Sequence, residues 1–251
     1  MAKRNQRQNR KAILPNVFTA LNILCGFLAI TYIAREDPNF VRAAWLIVLA
    51  AVFDTLDGKI ARITKSYSEF GIEFDSLADI VSFGVAPAVL IYNVYFHSYG
   101  DIGKLISFLP LLFGGIRLAR FNIQISGFEK SDFVGMPIPA SAVCLASFVV
   151  FTLEFKNPDA IYSKAFIPLV ITVSFLMVST IGYDTLPKFS LRRGTGNVVK
   201  LIFLLLSLTA ISIFREFVLF PLIMVYILYG IVRWLICLSK NSQELLEANE
   251  E

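Results

Sequence analysis

The chain has 251 residues, of which 56% are hydrophobic and 17% charged, with a mean hydropathy of +0.67. Soluble domains run at roughly 45–50% apolar and about 25% charged, so the composition excludes an ordinary soluble core and predicts a membrane protein. A net charge of +4, spread along the chain, argues against nucleic acid as a partner and suits anionic lipid headgroups.

Residues 1–14 carry Lys3, Arg4, Arg7, Arg10 and Lys11 with no acid. No small-residue cleavage site follows the first apolar run and further spans come after it, so the segment reads as basic and cytoplasmic or interfacial, not as a signal peptide. A span needs about 20 mostly apolar residues. Eight candidates follow, at 15–34, 41–62, 72–96, 103–125, 136–155, 161–181, 197–214 and 217–238. Residues 15–238 form one transmembrane domain and 239–251 an acidic, frayed cytoplasmic tail. The expected fold is an all-α integral membrane bundle of about eight transmembrane helices with a polar cavity facing the cytoplasm.

Lysine and arginine in the short loops set orientation. One side receives the N-terminal cluster, Arg62, Lys65, Lys130, Lys188, Arg192 and Arg193; the other receives Arg35, Arg42, Lys104, Lys156, Lys164 and Arg215. The first side is richer. A multi-pass protein of the cell (inner) membrane with both termini cytoplasmic is therefore expected. Cys25, Cys144 and Cys237 all lie in apolar runs and read as small buried hydrophobes. His97 falls at a helix end, as an interfacial residue.

The first span carries Asn16, Thr19 and Asn22 at helical spacing in its cytoplasmic half. These either line the cavity or bond between helices. The second and third spans flank the stretch DTLDGKIARITKSYSEFGIEFDSLAD at 54–79. Asp54 and Asp57 are spaced i,i+3, and Asp75 and Asp79 are spaced i,i+4, so each pair shares a helix face. Inserting one carboxylate near the centre of a span costs on the order of 2.5–3.5 kcal/mol. Four of them make sense lining a polar cavity, where their repulsion calls for one or two divalent cations with oxygen ligands. Two such ions are the usual clamp for displacement at phosphorus.

Span four brings Arg117, Arg120 and Asn122 to the same depth. The two arginines, i,i+3, read either as anion-binding groups or as side chains snorkelling to headgroups. Segment 127–139 reads as a loop entering a helix at Pro137 or Pro139, and 182–196 as a basic loop.

The 54–79 stretch also resembles a family signature, that of the CDP-alcohol phosphotransferases. It has D, two residues, DG, two residues, AR, eight residues, G, three residues, D, three residues, D, met here by Asp54, Asp57, Gly58, Ala61, Arg62, Gly71, Asp75 and Asp79. The resemblance implies transfer of a substituted phosphate from a CDP-linked donor to a hydroxyl, with release of CMP. On that reading Asp54, Asp57, Asp75 and Asp79 bind two divalent ions, magnesium or manganese with calcium as the alternative, and Asp79 is also the base. Gly58, Ala61, Arg62, Ser68 and Gly71, with Asn16 and Thr19, face the CDP-lipid, and Arg117, Arg120 and Asn122 face the acceptor.

The flanks NVFTALNILCGF, FDSLADIVSFGVAPA, RLARFN and GMPIPA resemble the serine-accepting branch of that family. This implies CDP-diacylglycerol as donor, L-serine as acceptor and a homodimer among membrane lipids. Glycerol 3-phosphate or an inositol phosphate as acceptor, and an archaeal-type lipid donor, are the alternatives within the same chemistry. A divalent-cation transporter is the alternative from another class, although its acids belong near the midplane and in two related halves, and only one copy of the motif is present.

Overall fold

The computed structural model describes residues 2–64, 68–125, 135–154, 160–183 and 215–247, with side chains over 15–64, 68–124, 135–153, 166–183 and 217–238. The described residues form helices and no strand. Helix α1 (Ala2–Ile33) runs without a break through Pro15, so the basic segment and the first span are one helix. Asn39 begins α2 (Phe40–Thr64), its Oδ1 accepting from the Arg42 amide at 2.9 Å as a helix N-cap does. These two helices pack along most of their length. Ala29, Ala43, Ala44, Ala50 and Cys25 are buried between them and their neighbours, and such small side chains let membrane helices approach closely.

Ser68 begins α3 (Glu69–Asp79), accepting from the Gly71 amide at 3.0 Å. Beyond Asp79 the helix widens into a π turn (Ile80–Val85), with the Ala86 amide bonded to the Val81 carbonyl, before α4 (Ala86–Ile91) resumes. Pro87 explains the change: it has no N–H for the carbonyl four residues back and its ring crowds that carbonyl, and a π turn relieves both problems. A second π turn (Tyr92–Phe96) and a short 3₁₀ turn (His97–Tyr99) end this helix, with His97 exposed as expected.

Glu69–Gln124 contains a stretch apolar enough to cross a membrane, but it is not one rod. Gly100 has φ +59°, a left-handed conformation that suits glycine. There the chain turns, and α5 (Gly100–Ile125) packs back on α4 and both flanking turns. Gly135, at φ +43°, leads into α6 (Ile138–Glu154), which is followed by α7 (Ala160–Val178) and α8 (Arg215–Glu247). The rings of Phe148 and Phe166 stack at 4.3 Å between centroids, and Tyr95 hydrogen-bonds Thr152.

Among the described residues, three stretches are long and apolar enough to cross a membrane: Pro15–Ile33, Glu69–Gln124 and Phe217–Leu238. The expected span at 197–214 and most of the loops at 127–139 and 182–196 lie outside the described residues. Two expectations need correction. Cys237 is exposed on α8, unlike Cys25 and Cys144, in a part of the helix where Leu235, Ile236 and Leu238 are exposed too. The tail expected to be frayed at 241–251 is helical as far as Glu247, through a stretch with neither glycine nor proline.

Candidate functional site

Three helices build the site. The middle of α1, the C-terminal end of α2 and the start of α3 surround a cavity of about 120 Å³ lined by Pro15, Asn16, Thr19, Asp57, Gly58, Ala61, Ser68, Gly71, Ile72 and Asp75. All six small or polar residues expected to face the CDP-lipid besides Arg62 are on this wall. A Cβ on Gly58 would meet only Arg62 Nη2, at 3.9 Å, so the missing side chain leaves open space. A Cβ on Gly71 would lie 3.0 Å from Ser68 Oγ, which explains glycine at the cap. Since Ser68 Oγ caps the helix as an acceptor, its own proton stays available to a ligand. Arg62 is exposed and folds back on its own turn, with Nε donating to the Gly58 carbonyl at 2.9 Å.

The acids gather beside this cavity. One carboxylate oxygen each from Asp54, Asp57 and Asp75 lie within 4.8 Å of one another. Carboxylates at such separations repel strongly where water is scarce. Asp57 is 4% exposed, and Asp75 Oδ1 is buried with no hydrogen-bond partner among the described residues. An orphaned carboxylate oxygen in an all-oxygen trio fits a hard divalent cation. Asp79 stands outside this trio.

Helix α1 holds both buried acids in place. Thr19 Oγ1 lies 3.1 Å from Asp57 Oδ2, and Asn22 Nδ2 donates to Asp79 Oδ1 at 3.1 Å. Ser82, in the π turn, donates to the Asn22 carbonyl at 2.9 Å. Gly26 makes this approach feasible, since a Cβ there would sit 2.7 Å from Ser82 Cα. Asn22 was visible in sequence as the third member of the Asn16, Thr19, Asn22 row, but nothing there paired it with Asp79.

On α5 the three expected acceptor-side residues part company. Arg117 is half-buried and within electrostatic reach of Asp79 and Asp54. Arg120 is exposed, near the end of α5, where its neighbours Ala119 and Phe121 are exposed as well. Asn122 is tied to α3, with Nδ2 donating to Ser76 Oγ at 3.0 Å.

Known proteins resemble this chain over most of its length. The family model described as CDP-alcohol phosphatidyltransferase matches residues 12–180. A CDP-diacylglycerol–serine O-phosphatidyltransferase of Helicobacter pylori is 38% identical over 234 residues, covering 91% of this chain and 93% of that protein. One of the same name from Methanocaldococcus jannaschii is 36% identical over 227 residues, covering 90% and 96%. An archaetidylserine synthase of Methanothermobacter thermautotrophicus is 40% identical over 172 residues, covering 68% and 69%.

Proposed function

The chain belongs to the CDP-alcohol phosphatidyltransferase family, and from that premise we propose that it is a phosphatidylserine synthase. It moves the phosphatidyl group of CDP-diacylglycerol to the hydroxyl of L-serine and releases CMP. The observation that carries this reading is the meeting of the acidic trio with Gly58, Ala61 and Gly71 at one cavity. The names of the relatives in Helicobacter and Methanocaldococcus support serine as acceptor.

Asp54, Asp57 and Asp75, with Asp79 beside them, would hold two divalent ions, magnesium or manganese, with calcium as the alternative. When bound, such ions neutralise the donor's diphosphate and the charge on departing CMP. Gly58, Ala61, Gly71, Asn16 and Thr19 admit the CDP moiety against the backbone, Ser68 offers its hydroxyl proton, and Arg62 meets phosphate at the mouth. The serine oxygen attacks the β-phosphorus, the bond from that phosphorus to the CMP oxygen breaks, and the hydroxyl proton passes to Asp79. Since Asn22 occupies Oδ1 of Asp79, Oδ2 is the atom that receives it. Of the acceptor-side residues, Arg117 is the one whose burial and facing charges support the role.

The protein sits in the cell membrane as a multi-pass bundle of about eight spans, with both termini cytoplasmic by the positive-inside asymmetry of its loops, and the family resemblance supports a homodimer. One specific observation favours a second donor: the relative named archaetidylserine synthase keeps serine in its name and changes the lipid.

The test is CMP release by detergent-purified protein supplied with CDP-diacylglycerol and Mg²⁺ or Mn²⁺, with L-serine, glycerol 3-phosphate or inositol phosphate as acceptor. Serine-dependent release, lost in Asp75→Asn, is the expected result. Release with another acceptor overturns serine, and release only with an archaeal-type donor overturns diacylglycerol. Bound CDP-lipid without CMP release, together with cation flux in vesicles, points to the transporter instead.

A further inference from the structure

Asp79 and Ser82 lie three residues apart where α3 runs into the π turn, and both reach the same residue of α1. Asn22 donates from Nδ2 to Asp79 Oδ1 at 3.1 Å, and its carbonyl accepts from Ser82 Oγ at 2.9 Å. Asn22 and Ser82 are both fully buried. Asn22 is therefore held twice by one neighbouring segment, once by its side chain and once by its backbone.

The two bonds do different work. The Asn22 carbonyl lies inside α1, where the amide of Gly26, four residues on, is its helical donor. A carbonyl oxygen has a second lone pair, and Ser82 takes it. Helix α1 forms without that second bond, yet the chain makes room for it. A Cβ on Gly26 would lie 2.5 Å from Ser82 Oγ and 2.7 Å from Ser82 Cα, so glycine one turn after Asn22 is what lets the π turn come this close. The far end of the Asn22 amide gives no anchorage, since its Oδ1 is buried with no hydrogen-bond partner among the described residues. The amide thus reaches Asp79 from a position set by the backbone of α1, and Ser82 bonds that backbone to the π turn.

We propose that Ser82 is a positioning residue for the transfer: it holds the Asn22 carbonyl against the π turn and so sets the reach of the Asn22 amide to Asp79. This rests on the reading of Asp79 as the base of a serine-accepting transferase. It also gives a role to a π turn placed directly after that base, a distortion often found at functional sites.

Full-length protein in detergent, with CDP-diacylglycerol, L-serine and saturating Mg²⁺, tests it by a double-mutant cycle on kcat for CMP release. Ser82→Ala removes one neutral hydrogen bond, so kcat should fall about 2- to 10-fold, with KM for CDP-diacylglycerol unchanged. In the Asn22→Ala background the same substitution should change kcat by less than about twofold, because effects that run through one contact do not add. Ser76→Ala supplies the comparison. Ser76 ties α3 to Asn122 of α5 at 3.0 Å, a contact that does not involve Asn22, so its effect on kcat should be the same in both backgrounds. Ser82→Cys, whose thiol donates only weakly, takes the place of Ser82→Ala in the cycle if the alanine variant does not fold. An unchanged kcat in Ser82→Ala overturns the proposal. So does a fall that multiplies with that of Asn22→Ala, the mark of a general loosening of the fold, and so does an effect of Ser76→Ala that also vanishes without Asn22. A wild type that releases no CMP with serine overturns the functional reading itself, a result distinct from an active wild type beside an unaffected variant.

Discussion

Asn22 of α1 donates to Oδ1 of Asp79 at the end of α3, 3.1 Å away, and is itself fully buried. The bond fixes the carboxylate's rotation and leaves one oxygen for the reaction. Asn22→Ala removes a hydrogen bond to a charged group, a loss of about 1.5–3 kcal/mol. We expect kcat for CMP release to fall about 10- to 100-fold, with KM for CDP-lipid nearly unchanged. Steady-state kinetics checks this, and a KM effect without a kcat effect would show that Asn22 serves donor binding instead.

Asp79→Asn keeps the shape of the side chain and removes its ability to take a proton. Transfer should be abolished while CDP-lipid still binds, because the small residues of the cavity and the acidic trio are untouched. Binding is read by equilibrium titration with CDP-diacylglycerol, and transfer by CMP release. A fully active variant would remove Asp79 from the role of base.

Two glycines in the site should behave in opposite ways. At Gly26 an added Cβ meets Ser82 Oγ at 2.5 Å and Ser82 Cα at 2.7 Å, so backbone has to move. Gly26→Ala should destabilise the fold by about 1–3 kcal/mol and weaken the contact that brings Asn22 to Asp79. At Gly58 the added methyl meets only the end of Arg62, at 3.9 Å. Gly58→Ala should leave the melting temperature alone and raise KM for CDP-lipid, because the methyl enters the cavity. Thermal unfolding in detergent, measured beside KM, separates the two cases.

These residues also mark what could be read in the sequence and what could not. Helical spacing put Asp54 with Asp57 and Asp75 with Asp79, and put Asn16 and Thr19 on the face that lines the cavity. Spacing reports which residues share a face, not which helix that face meets. Asn22 and Gly26 gained their partners only when α1 crossed the π turn after Asp79. That turn depends on a proline several residues downstream of the acids and changes the phase of the helix without altering its composition. Arg120 was grouped with Arg117 by the same spacing rule, yet it is exposed where Arg117 is half-buried.

The last prediction concerns the metal. Chelation with EDTA should abolish CMP release, and Mg²⁺ or Mn²⁺ should restore it, because the trio's oxygens lie within 4.8 Å of one another with Asp75 Oδ1 unpaired. Besides lining the cavity, Thr19 touches the trio through Asp57, by the 3.1 Å contact to Oδ2. Removing a group that orients a metal ligand typically costs 10–100-fold in metal affinity or activity. Thr19→Val should thus raise the Mg²⁺ concentration for half-maximal activity about 10-fold, with activity recovering at saturating metal. If activity instead stays low at every metal concentration while KM for CDP-lipid rises, Thr19 acts as part of the cavity wall and not through Asp57. The two outcomes are read from one experiment, a metal titration at fixed donor followed by a donor titration at saturating metal.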